Sequence, residues 1–246
     1  MPRERKGLGR KSGGQSKDPT IFYIIAAEGS DTEMIYFQQI KSFLETLRLG
    51  RLVKVEPLER AQTLNQSGQI KKDTRSDTEA IVTLLDDYRK KYNIKDGDEL
   101  WCIVDRDRWL HKNIAAADKS CRQKGYEFCM TTPCFEFWLL LHLRDLRSFS
   151  TVGQVALLHN LRKKSGNRTR TEYEVNEATK ALGAGAYKKA SLPNVFTLRI
   201  PNAVRQAFDL RLEEDHWQGD RFCTRIHVLL QRIFELSAPE YNLPLR

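Results

Sequence analysis

Several familiar signatures are missing from this 246-residue chain. It contains no Gly-x-x-x-x-Gly-Lys-Ser/Thr, no Gly-x-Gly-x-x-Gly and no Gly-x-Ser-x-Gly. A P-loop ATPase, a dinucleotide enzyme and a serine hydrolase are therefore disfavoured. Cysteine is scarce: Cys102, Cys121, Cys129, Cys134 and Cys223 are odd in number and form no Cys-x-x-Cys pair. Neither a zinc site nor a disulfide framework is indicated, and a reducing, cytoplasmic setting is expected. The histidines show no ligand spacing: His142 sits within an apolar run and reads as a core residue, and His111 reads equally as a base and as an exposed loop residue. No apolar run nears the roughly 20 residues that span a bilayer. The basic N-terminus is not followed by an apolar segment, so no signal peptide and no membrane partner are expected.

Positive charge is abundant and localised. The formal net charge is +9. Residues 1–18 carry six basic and two acidic side chains, and residues 162–189 carry eight basic and three acidic ones. These two segments account for the whole excess, so a polyanion partner, RNA or DNA, is the natural reading. The alternative is a solvated tail and loop. Residues 1–18 are rich in Gly, Ser, Lys and Arg with few apolar anchors, and are expected to be disordered alone.

The apolar pattern then becomes regular. Ile21 to Ala27 is a continuous apolar run, as in a strand buried on both faces. It stops at Glu28-Gly29, and Ser30 or Asp31 opens a helix in which Glu33 would complete a capping box if Ser30 caps. Arg51 to Leu58 reads as a shorter strand, residues 59–73 as a polar loop, and a helix starts at Ser76 or Asp77. Glu99 to Val104 is a third buried strand, followed by a helix over Asn113 to Lys124 with Gly125 as its C-cap. Tyr126 to Thr131 is a fourth strand, and Pro133 opens a helix. This alternation predicts an α/β fold with a mainly parallel four-stranded sheet. From Ser150 onward helices dominate: Thr151 to Lys163, Glu172 to Leu182, Pro201 to Trp217 and Asp220 to Ser237, with a basic loop over Ser165 to Thr171. The expected organisation is a tail over 1–18, an α/β core over 19–148 and a helical extension over 149–246.

Glu28 and the pair Asp105/Asp107 each follow a buried strand, so all three belong to the carboxyl edge of the sheet, where open α/β sheets bind ligands. Crowded carboxylates repel one another, and a divalent cation compensates them. All-oxygen ligation suits Mg²⁺ or Mn²⁺. Two exposed turn aspartates and a solvated glutamate are the bland alternative.

The Glu-Gly after the first strand and the Asp-Arg-Asp after a later one resemble the TOPRIM signature of topoisomerases, primases and OLD-type nucleases. More closely, EGSDTEMIYF, WCIVDRDRW and TPCFEFWLLLHL, followed by YKK, resemble RloB-like proteins of bacterial restriction and phage-defence loci. The resemblance covers about residues 20–190. It implies a Rossmann-like TOPRIM core, with Glu28 as metal ligand or general base and Asp105 and Asp107 as metal ligands. It also matches Lys189, or alternatively Lys188, to a lysine that neutralises charge on a phosphoryl oxygen. Glu136, inside PCFEFW, falls at the amino end of a helix beside the same edge. It stands either as a further metal ligand or as a buried carboxylate paired with Arg or backbone N–H. Glu33 reads as a helix-start residue with room for contact behind the ligands.

The leading expectation is a Mg²⁺- or Mn²⁺-dependent nuclease of RNA (tRNA included) or DNA, acting in phage defence or abortive infection beside an AAA/ABC-type ATPase encoded nearby. The alternative is a non-catalytic nucleic-acid-binding adaptor or sensor paired with such an ATPase. A nucleotidyl transferase would need nucleotide-binding elements that the sequence does not display. Arg3, Arg5, Lys6, Arg10 and Lys11 in the tail, with Arg168, Arg170 and Lys188, are the expected phosphate contacts. Five tail contacts predict a log–log salt slope of about −3.5 on single strands and about −4.5 on duplex DNA. Deleting residues 1–18 should flatten that slope in a salt titration of binding; an unchanged slope would assign the tail another task.

Overall fold

The structure is a computed structural model that describes residues 20–29, 31–47, 53–59, 62–64, 70–72, 78–106, 110–162, 167–213 and 220–237. Its centre is a four-stranded sheet of β1 (Ile21–Ala27), β2 (Val53–Pro57), β5 (Glu99–Asp105) and β6 (Glu127–Thr131). The order is β2-β1-β5-β6, and every pairing is parallel. The apolar runs of β1 and β5 are buried on both faces because helices cover both.

Period-two alternation splits the core in two. Tyr23, Ile25, Ala27, Trp101 and Ile103 face α1 (Thr32–Thr46) and the C-terminal helices. Ile24, Ala26, Leu100, Cys102 and Val104 face α2 (Thr78–Lys91) and α3 (His111–Lys124). The crossover through α1 therefore runs on one face and that through α2 on the other. The winding direction reverses between β1 and β5, and this topological switch opens a crevice at their carboxyl ends.

The helix after β6, α4 (Phe135–Leu143), is apolar all round and buried from Phe135 to His142. Such a helix must be covered on all sides. The cover comes from α6 (Arg170–Ala181), α8 (Ile200–Asp209) and α9 (Ile226–Ser237), whose apolar residues join one core with β1, β5 and α1. That core is continuous across residue 148. Between these helices lie α5 (Thr151–His159) and the single turn α7 (Val195–Leu198).

Several local expectations need correction. The polar stretch after β2 holds a short antiparallel hairpin, β3 (Gln62–Leu64) with β4 (Ile70–Lys72). Strands of three residues leave too little alternation to be read from sequence. Pro133 precedes α4 instead of opening it, and follows a cis peptide bond. Helix α5 ends at His159, because Asn160 takes a left-handed conformation with φ 47°. Helix α6 starts two residues early, at Arg170, on a capping box between Thr169 and Glu172. Helix α8 stops at Asp209 and α9 starts only at Ile226.

His142 is the polar exception inside this core. Its Nδ1–H donates to the Trp138 carbonyl (2.9 Å), and its Nε2 then accepts from the Tyr36 hydroxyl (3.1 Å), tying α4 to α1. Burial pushes its pKa down to about 3, against the opposing backbone hydrogen bonds to Trp138 and Leu139. Unfolded, the ring takes a proton below about 6.5; folded, it does not until about 3. Stability is thus retained above pH 6.5 and falls toward pH 3, by at most about 1.4 kcal/mol per pH unit from this residue. His142→Gln should flatten the decline seen in urea denaturation between pH 6 and 4; an unchanged slope would mean that the ring titrates normally.

Candidate active site at the switch point

The end of β1 is locked to the end of β5 through backbone and side chain. The Glu28 amide donates to the Ile103 carbonyl (3.0 Å), and the Asp105 amide donates to Glu28 Oε2 (3.2 Å). Glu28 is buried, while Asp105 is partly exposed at the tip of β5. The two sequence-identified carboxylate positions thus stand on adjacent strands at the crevice. Asp107 lies outside the described residues, as do Arg3, Arg5, Lys6, Arg10 and Lys11.

Glu33 proves to be part of the same edge. It lies in the first turn of α1 yet is buried, with its carboxylate folded against Gly29. A Cβ at Gly29 would stand 1.8 Å from Glu33 Oε2, so the glycine is what lets the carboxylate lie there. Burial, helped by the charges of Glu136 and Glu28, pushes the Glu33 pKa up to about 7, against its own backbone hydrogen bond and Lys189. The helix cap is Asp31, one of the two residues expected to open the helix, and its side chain makes no capping bond; Ser30 lies outside the described residues.

Glu136 is brought in by the first turn of α4 and is buried. The Tyr187 hydroxyl donates to its Oε1 (3.1 Å), and Lys189 Nζ stands 3.0 Å from the same oxygen. Among the described residues Oε2 has no hydrogen-bond donor, so it is the oxygen left for a ligand. Lys189 also pairs with Glu172 Oε1 at 2.6 Å. Burial alone would lower the Lys189 pKa, but Glu136 and Glu172 outweigh it and hold the ammonium above its ordinary range. Glu136 is thus a buried, paired carboxylate, but its partners are Tyr187 and Lys189 instead of the expected Arg or backbone N–H.

The remaining basic positions are spread. Arg168 donates to the Tyr187 carbonyl (3.0 Å), and so supports the segment that carries Lys189. Arg170 pairs with Glu174 inside α6 (2.6 Å). Lys188 is exposed beside Lys189, and His111 is the exposed first residue of α3. The sequence reading gave no site role to Glu172 or Tyr187. For Glu172 a signal existed in Thr-x-x-Glu, the capping-box pattern, which marks the helix start but not the ion pair. Among the described residues no three Asp, Glu, His or Cys side chains alone form a metal-holding group.

The fold and this edge define a Rossmann-like α/β protein with acidic residues gathered at its switch point, completed by a lysine from a helical extension. A family model described as RloB-like protein matches residues 23–233. The chain belongs to the RloB-like family. Searches of curated proteins and of solved structures find no match. No helix of the described residues is long and apolar enough to cross a membrane.

The raised Glu33 pKa fixes a sign. Unfolded, the carboxyl ionises near its ordinary value of 4.5; folded, it stays protonated to about 7. The cost of its burial is small below pH 4.5, grows as pH rises, and is complete above 7 at roughly 3 kcal/mol. Glu33→Gln should therefore stabilise the metal-free protein at pH 8 and hardly at pH 4.5. Equal effects at both pH values in urea denaturation would contradict this.

Proposed function

We propose that the protein is a Mg²⁺- or Mn²⁺-dependent nuclease of the TOPRIM type, hydrolysing phosphodiesters of RNA or DNA in bacterial phage defence in the cytoplasm. The carrying observation is the pairing of Glu28 with Asp105 at the switch point. The donor set fits the cation: every candidate ligand is a carboxylate, and hard divalent ions take oxygen while keeping waters. Glu28, Asp105 and Asp107 would hold it, with Glu136 Oε2 beside them. When bound, the ion would supply Lewis-acid polarisation and an activated water. On the alternative reading Glu28, whose Oε2 accepts from the Asp105 amide, would act as the general base instead of a ligand. Lys189 is the cation set to meet charge growing on a phosphoryl oxygen. The basic tail and the residues near Arg168 and Lys188 would grip the backbone without reading bases. A partner ATPase belongs to the same reading through the family's defence loci.

A second reading, a nucleic-acid-binding adaptor or sensor, draws support from Lys189, whose ammonium is already engaged in ion pairs with Glu136 and Glu172. Metal response separates the two. With Mg²⁺ or Mn²⁺ the nuclease should gain thermal stability and cleave RNA or DNA. Glu28→Gln and Asp105→Asn should each lower cleavage by about a hundred-fold or more, since Lewis-acid stabilisation is worth several kcal/mol. A wild-type protein with no metal response and no cleavage would favour the adaptor.

A further inference from the structure

The ammonium of Lys189 is held by the helical extension as much as by the sheet's edge. Glu172 uses both carboxylate oxygens for different tasks. Oε2 accepts from the Thr169 amide (3.0 Å) and closes the capping box of α6, while Oε1 meets Lys189 Nζ at 2.6 Å. The backbone around Lys189 is fixed too. Asn176 Oδ1 accepts from the Tyr187 amide (3.2 Å), Arg168 donates to the Tyr187 carbonyl (3.0 Å), and the Thr32 hydroxyl reaches the Lys189 carbonyl (3.5 Å). The start of α6 is itself anchored: Asn160 Oδ1 accepts from the Thr171 amide (2.9 Å) and hydroxyl (2.7 Å). Glu172 is buried while the Lys189 side chain is half exposed, so the pair fixes the ammonium at the boundary between the edge and solvent.

We propose that Glu172 is a positioning residue that sets the Lys189 ammonium beside Glu136, making the first turn of α6 a working part of the carboxylate edge. The proposal rests on the nuclease reading for its effect on rate, but not for the placement of Lys189. Without the Glu172 charge, Glu136 alone would retain the ammonium, and the long lysine chain would sample other rotamers.

Glu172→Gln separates the two tasks of the side chain, because a glutamine at this position still completes a capping box while losing the ion pair. Thr169→Ala does the reverse, weakening the cap and keeping the charge. In the full-length, metal-free protein, Lys189 would be labelled with an amine-reactive acylating reagent, and its modification followed by peptide mass spectrometry. Lys189 should react several-fold faster in Glu172→Gln than in wild type, and at the wild-type rate in Thr169→Ala. In cleavage assays Glu172→Gln should lose between about tenfold and a hundred-fold in kcat at nearly unchanged KM, a split that a loosened helix would not give. Wild-type labelling in Glu172→Gln, or equal acceleration in Thr169→Ala, overturns the proposal. If the wild-type protein cleaves nothing, the nuclease reading fails, and the labelling alone decides whether Glu172 places Lys189.

Discussion

Buried carboxylates on one edge of the sheet are the constraint around which the rest is arranged. Glu28, Glu33, Glu136 and Glu172 are all less than a tenth exposed. Removing that much potential negative charge from water is costly unless each group is paired, hydrogen-bonded or neutralised. Each is handled differently. A backbone amide serves Glu28, Tyr187 and Lys189 serve Glu136, and Lys189 and the cap serve Glu172. Glu33 is handled by protonation, since its pKa rises to about 7. The donors come from β5, from the start of α6 and from the segment after it. The edge thus depends on the extension for its electrostatic balance, and that dependence is a reason for the extension to pack where it does.

The other large requirement is apolar. A helix as greasy as Phe135 to Leu143 cannot stand at a surface, and its burial fixes where α6, α8 and α9 must go. Glu136 and His142 sit on that helix, so the packing that hides its leucines also sets the two polar groups. Arg232 on α9 then bridges Glu99 and Glu127 at the opposite, amino end of β5 and β6. Arg225 donates to the Phe128 carbonyl and covers the outer edge of β6. The C-terminal helices therefore hold the sheet at both ends.

Much of this was legible in the sequence, and the limits have physical causes. The runs at Ile21–Ala27 and Glu99–Val104 are apolar without alternation because both faces are covered, so the sheet and the positions of Glu28 and Asp105 followed. The hairpin β3–β4 did not, since three residues carry no usable period. Glu33 resembled an ordinary acidic residue in a first helical turn, and only the close approach over Gly29 reveals its burial. Glu172 and Tyr187 meet Lys189 and Glu136 through contacts between distant parts of the chain, to which local pattern is blind. Lys189 and Glu136 were reached through family resemblance, and the ion pair between them explains why both stand near the edge.

The span of those contacts bears on the order in which the molecule can assemble. Thr32 meets Tyr187 across 155 positions, Glu136 meets it across 51, and Arg232 reaches back 133 positions to Glu99. A chain made from its amino end at about 5–20 residues per second has β1, β5 and β6 in hand well before these partners exist. Closing such long loops is entropically expensive and slow. The nascent α/β half would meanwhile carry an uncovered α4 and an acidic edge without its lysine. Completion of the site is in this way deferred to the last stages of synthesis, when α6 and the Tyr187–Lys189 segment can dock.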